Sequence, residues 1–161
     1  MPSPYIENAT ALFRYYKLLA EGAMAQVSDE QLTEVLDPRM NSIAVMVKHL
    51  SGNMLSRWTD FLTTDGEKPF RDKAREFENS PITRRELHDL WEGAWACAFA
   101  SLATLTDTDL PKTITIRAEP MSVLQAINRQ LTHCSYHVGQ IAFMAKHLTS
   151  DHWKPLKVSR G

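Results

Sequence analysis

At 161 residues the chain has the length of one domain, expected to span residues 1–161, and is long enough to bury roughly 70% of its unfolded surface without disulfide or metal support. Eighteen Lys and Arg against nineteen Asp and Glu leave a formal net charge of -1, which excludes the basic footprint of a nucleic-acid binder or an anionic-membrane binder. No apolar run reaches the ~18 residues of a membrane span, and the start carries neither a basic nor an apolar leader region. The expectation is therefore a cytoplasmic protein, no membrane contact, and Cys97 and Cys134 as reduced thiols.

Four long helical segments are predicted in chain order. The first covers residues 4 to 27, capped by Ser3 with Pro4 in the first turn, and its apolar positions Leu12, Tyr15, Tyr16, Leu19, Ala23 and Val27 recur at three- and four-residue spacing. The second covers 41 to 62, after Asp37-Pro38, with Ile43, Met46, Val47, Leu50, Met54, Trp58, Phe61 and Leu62 apolar, and Asp65-Gly66 as its stop. Residues 64 to 82, rich in charge and carrying Pro69 and Pro81, read as a long polar loop. Thr83 and Glu86 form a capping box that opens the third helix, which runs through Leu87, Leu90, Trp91, Ala94, Trp95, Ala98, Leu102 and Leu105. Residues 113 to 116 alternate like a strand too short to pair other than locally. The fourth helix is expected to open near Pro120, with Ser122 and Gln125 as a capping box, and to reach Leu148. Four segments of roughly 22 to 29 residues, each with one apolar stripe, make an all-α four-helix bundle with long inter-helix loops the economical fold.

His133-Cys-Ser-Tyr-His137 stands inside the fourth helix. Side chains at i and i+4 leave a helix on one face about one turn apart, so two imidazoles so placed can grip one ion. A third from the second helix, His49, would complete three protein ligands and leave positions open for water or substrate. The fourth helix has an apolar seam of Leu124, Ile127, Leu131, Cys134, Val138, Ile141, Ala145 and Leu148. At about 100° per residue, His137 lies roughly 80° and His133 roughly 120° from its centre, on the flank of the buried stripe. His49 likewise sits off its helix's apolar stripe, in a polar row with Ser42, Asn53, Ser56 and Asp60. Two flanks meeting across a groove would unite the three imidazoles; two flanks facing water would leave three ordinary surface histidines, and periodicity does not separate these.

The remaining polar residues carry weaker expectations. Ser56 reads as solvated, and Asp60 as a group that orients a ligand or binds Arg57 or a loop. Asn53, Trp58, Asp60 and Trp95 are pocket candidates, with the tryptophans otherwise core. His88 is expected to face solvent, and His147 and His152 to stand at a helix terminus, where cations suit the dipole. Cys134 reads as a small buried hydrophobe rather than a ligand. Arg84-Arg85 and the trio Lys154, Lys157, Arg160 read as solvated surface. There is no Gly-rich phosphate loop, Gly-x-Ser-x-Gly, Cys-x-x-Cys or His-Glu-x-x-His; residues 134–136 are Cys, Ser and Tyr, so the Glu base of a zinc protease is missing.

Segments 41–60, with His49, and 128–141, with His133 and His137, resemble the DinB-like superfamily, over nearly the whole chain and nearest a branch related to the bacillithiol- and mycothiol-dependent S-transferases. The resemblance implies a four-helix bundle in up-down-down-up order, a divalent ion, zinc or nickel, held by His49, His133 and His137, and a homodimer. Three neutral imidazoles leave the full charge of such an ion in place, which lowers the pKa of bound water to about 7 and can hold a thiol as thiolate. No His or Glu stands out as an extra base, so the catalytic group expected is metal-bound water or thiol. Transfer of a low-molecular-weight thiol to an electrophile ranks first, metal-dependent hydrolysis second, and a non-enzymatic metal-stabilised dimeric binding module third.

Overall fold

The computed structural model describes residues 3–158, so Met1, Pro2 and Arg160 of the terminal basic grouping lie outside the described residues. Helix α1, Pro4–Met24, begins where the Ser3 hydroxyl accepts from Ile6 N at 3.3 Å, which satisfies one of the first-turn donors that a helix leaves open. Its buried face is Ile6, Ala9, Phe13, Ala20 and Ala23, while Leu12, Tyr15, Tyr16 and Leu19 of the expected stripe are only half-buried. The alanines let neighbouring helices approach closely, which rotates the face away from the larger residues. A short helix α2, Asp29–Thr33, follows behind a Ser28–Gln31 capping box; five residues are too few to show a helical period, and no element was expected there.

Helix α3, Ile43–Trp58, starts at Ser42, which caps Val45 N at 3.2 Å instead of standing on a polar face. It stops short of the expected Leu62 because Asp60 takes a left-handed φ of 46° and its carbonyl accepts from Thr63 N and Thr64 N. Helices α2, α5 and α6 pack on α3, and so does α4, Lys73–Glu76, a single turn inside the segment expected to be loop. Enclosed from several sides, α3 is buried almost all round. Ser56, expected in solvent, is fully buried: it donates to Gly66 O at 2.8 Å and accepts from Lys68 N at 3.0 Å.

Helix α5, Arg84–Ala103, opens on the Thr83–Glu86 capping box as expected. It buries Leu87, Trp91, Ala94, Trp95, Ala98 and Leu102, with Leu90 left 41% exposed. Strands β1, Thr113–Ile116, and β2, Glu119–Ser122, pair antiparallel through a two-residue turn at Arg117 and Ala118. Pro120 therefore sits in β2 rather than opening a helix, and α6, Val123–Thr149, begins one turn later behind Ser122. The fold is mostly α-helical with this small two-stranded sheet.

The helices meet in two main pairs, α3 on α5 and α1 on α6, with α3–α6 and α1–α5 contacts between the pairs. Tyr5 Oη donates to Asn128 Oδ1 at 2.7 Å near the starts of α1 and α6, and Gln31 Nε2 donates to Leu148 O at 2.8 Å beyond the end of one and near the end of the other. Arg84, expected in solvent, is half-buried and donates to Met24 O at 3.0 Å and Val27 O at 2.7 Å, joining the start of α5 to the end of α1. Phe13 packs edge-on against Trp58 and Trp95 at 5.9 and 6.2 Å between ring centroids. Cys97 and Cys134 are free, and among the described residues no helix is long and apolar enough to cross a membrane.

Candidate metal centre

Helix α6 buries more than its seam. Gln130, His137 and Met144 are enclosed beside Ile127, Cys134 and Ile141, because α6 faces both α1 and α3, while Leu124 at the seam's start is 37% exposed. That wider face carries His137 to 9% exposure and leaves His133 half-buried. His49, 7% exposed on α3, meets them. One nitrogen from each of His49, His133 and His137 lies within 4.8 Å of the others, and His49 Nε2 and His133 Nε2 are 3.2 Å apart. Two nitrogens bonded to one ion at about 2.1 Å stand about 3.0 Å apart at a right angle and about 3.4 Å apart at the tetrahedral angle. The spacing of this pair falls between these values, and with His137 within reach the three imidazoles form a group that could hold a divalent ion.

Hydrogen bonds on the far ring nitrogens hold two of the imidazoles in the tautomer a metal requires. Glu76 Oε2 accepts from His49 Nδ1 at 3.0 Å, and Gln140 Oε1 accepts from His137 Nδ1 at 2.8 Å. Each bond places the proton on Nδ1 and leaves the Nε2 lone pair for an ion. His133 Nδ1 is buried with no such partner. Burial opposes the charge on Glu76, but hydrogen bonds from Arg71 and His49 outweigh it and hold the carboxyl below its usual value. Arg71 grips both oxygens, Nε to Oε1 at 2.8 Å and Nη2 to Oε2 at 2.9 Å, and also meets Glu67, which in turn pairs with Arg57. Glu76 thus has both oxygens occupied: it orients His49 and is not free to act as a base.

Glu76 can reach His49 only because residue 52 is glycine. A Cβ at Gly52 would lie 2.8 Å from Glu76 Cδ, closer than carbon atoms approach, and the Arg71 clamp prevents the carboxylate from swinging aside. Neither Glu76 nor Gly52 was identified from sequence. Two signals pointed that way: Asp72-Lys-Ala-Arg-Glu76 has a helix start, and a ligand histidine needs an acceptor for its second nitrogen.

Burial, followed by the proximity of His137 and His49, pushes His133 down to about 3, and burial followed by His49 lowers His137 to about 4. Both therefore stay neutral, with a lone pair available, across the neutral and mildly acidic range. Cys134, fully buried, is pushed up to about 12 by its burial and stands outside the ligand set, as expected.

The histidines open into a cavity of about 480 Å³ walled by Trp58, Phe61, Phe77 and Tyr136. Of the four pocket candidates, Asn53 and Trp58 line it. Asp60 does not: it lies exposed beyond the end of α3, and Arg57, its proposed partner, pairs with Glu67. Trp95 is fully buried among Phe13, Trp91 and Phe99 and does not reach the cavity. His88 is exposed, as expected; His147 lies in the last turn of α6 and His152 just beyond it, at the terminus where they were expected, and both are exposed.

Among the curated proteins and among solved structures, none matches this chain. Residues 1–161 match one family from end to end, described as protein of unknown function DUF1572. Matched over its whole length, the chain belongs to the DUF1572 family.

Proposed function

We propose that this protein is a metal-dependent S-transferase of DinB-like kind, joining a low-molecular-weight thiol to an electrophile. The observation that carries the reading is the convergence of His49, His133 and His137 on one point at the wall of a cavity large enough for a small molecule. On this reading the chain is one domain built as a four-helix bundle in up-down-down-up order. The contacts at both ends of α1 and α6 support a parallel pair, and those of Arg84 support an α5 antiparallel to α1. The long crossover through residues 59–83 suits a parallel α3 and α5, which a tight hairpin cannot join.

A zinc or nickel ion at the three nitrogens would supply the positive charge that keeps a thiol deprotonated at neutral pH. The chain's own contribution is to hold that site ready. Glu76 and Gln140 fix two of the rings, the aromatic walls limit water, and Trp58, Phe77 and Tyr136 offer apolar surface to an electrophile. Transfer is favoured over hydrolysis by a specific feature: among the described residues no carboxylate lines the cavity, and Glu76, which bonds to His49, is fully engaged. A thiolate attacks without a base, whereas hydrolysis benefits from one. The resemblance adds a homodimer, which sedimentation would test.

Cobalt substitution tests the reading directly. Bacillithiol, mycothiol or a simple analogue should produce an intense near-ultraviolet sulfur-to-cobalt band, and conjugation to monochlorobimane should require the metal. Should no thiol perturb the spectrum while an ester is hydrolysed at a rate that rises near neutral pH, a hydrolase replaces the transferase; if neither occurs, a binding module does. The metal's role is separately testable. Because Phe13, Trp91, Trp95 and their neighbours already form a continuous buried core, chelation should lower Tm modestly and leave the helical circular dichroism intact. Complete unfolding on chelation would mark a structural ion instead.

A further inference from the structure

The cavity in front of the histidines is cationic in a chain whose net charge is -1. Among the described residues, five of its lining side chains are Arg or Lys, and none is Asp or Glu. Arg57 and Arg71 are buried and neutralised by Glu67 and Glu76. The other three are exposed and come from three different elements: Lys73 on α4, Arg117 at the hairpin turn and Arg129 on α6. Lys73 and Arg129 have no ion-pair partner among the described residues, and Arg117 meets only Glu67, at 3.4 Å, a carboxylate already shared with Arg57 and Arg71.

The placement of Arg117 is costly in backbone terms. Arg117 and Ala118 both take left-handed φ, 55° and 60°, where residues other than Gly and Asn are disfavoured. The Asp65 carboxylate sustains that turn by accepting from Arg117 N at 2.9 Å and Ala118 N at 2.8 Å, and Gly66 N donates to Thr115 O at 2.8 Å beside it. A loop from the end of α3 thus pins the hairpin with a guanidinium at the cavity. Strained non-glycine backbone held by a buttress of this kind clusters where a side chain must be aimed.

We infer that Lys73, Arg117 and Arg129 select an anionic ligand, one carrying a carboxylate or phosphate group in addition to the atom that meets the histidines. Guanidinium and ammonium groups bind such oxyanions through charge-assisted hydrogen bonds, and a partly enclosed wall of one sign raises the local concentration of the opposite charge. The inference rests on the cavity being the ligand site of the proposed thiol chemistry and names the class of thiol it takes.

The test has two arms. With cobalt-loaded protein at low salt, the charge-transfer band is titrated with mercaptosuccinate, 2-mercaptoethanol and cysteamine, which carry negative, no and positive charge beside the sulfur. Mercaptosuccinate should bind about tenfold more tightly than mercaptoethanol, and cysteamine most weakly, as charge-assisted contacts require. In the Lys73→Gln/Arg117→Gln/Arg129→Gln variant, with helical circular dichroism as the check on folding, the three should converge to within about twofold. The second arm omits sulfur: succinate and inorganic phosphate are titrated by calorimetry into both proteins, and wild type should bind at least one of them more tightly than the variant does. Which of the two binds separates a carboxylate site from a phosphate site. Equal affinities for the three thiols, or a preference that survives in the variant, overturns the inference while leaving thiol chemistry standing. Variant-sensitive binding of succinate or phosphate without any thiol band sustains the anionic rim and removes the transferase reading. No difference between the proteins in either arm overturns the inference outright.

Discussion

The wild-type protein should carry one divalent ion per chain by elemental analysis, and the His49→Ala/His133→Ala/His137→Ala variant none. Single replacements should each weaken binding on the order of a hundredfold or more, since the binding free energy of such sites is divided among few ligands. A stoichiometric ion in the triple variant would place the metal elsewhere. The pH dependence of binding carries the same assignment further. Imidazole normally takes up a proton near pH 6.5, so three unperturbed ligands would cost about a thousandfold in apparent affinity per pH unit below that value. Here His133 and His137 titrate only at about 3 and about 4, because burial and neighbouring imidazoles disfavour their protonated forms. Between about pH 6 and 4.5 these two do not compete with the ion, and affinity should fall far less steeply than about a thousandfold per pH unit. The sign for stability follows from the same shifts. Groups whose pKa is lower in the folded state contribute stability above their unfolded pKa and lose it as pH falls through the folded value. The metal-free protein should therefore weaken progressively from about pH 6.5 downward, readable as a falling Tm.

Glu76→Gln should lower metal affinity about 10- to 100-fold, the usual effect of removing the acceptor behind a ligand histidine. All three donors around Glu76, two from Arg71 and one from His49, converge on its carboxylate oxygens. An amide would turn an NH₂ toward at least one of them. If that NH₂ faces His49, the proton of His49 moves to Nε2 and blocks the lone pair an ion needs. Glu76→Ala should do more: it leaves Arg71, whose side chain is 3% exposed, without its buried partner, at a stability cost of about 3–5 kcal/mol. Gly52→Ala should reproduce the affinity loss without removing any charged group, because its methyl would occupy the space of the Glu76 carboxylate. Chemical denaturation and metal competition titrations separate the two effects. A Glu76→Gln protein that binds metal as tightly as wild type would mean that His49 needs no orienting partner.

The histidine pair was legible in the sequence because it is a local property: four residues apart on one helix, His133 and His137 share a face whatever surrounds them. The capping residues Ser3, Thr83 and Ser122 were legible for the same reason, since each satisfies backbone donors within its own first turn. Pro120 misled, because a proline suits a helix's first turn and an edge strand alike, and only pairing with Thr115 decided between them.

What lay beyond the sequence was every role that depends on which segments meet. The exposure of a helix face is set by its neighbours, so Ser56, read as solvated, is buried beneath residues 66–68, and Asp60, read as part of the site, turns away once α3 stops at Trp58. Periodicity placed His49 beside an apolar stripe but could not say whether that flank met water or α6. Glu76, Arg71 and the rim of Lys73 and Arg117 all come from segments without long-range periodicity. Their function arises where a loop crosses α3 at Gly52 and a hairpin folds over the cavity, contacts between residues far apart in the chain that no spacing encodes.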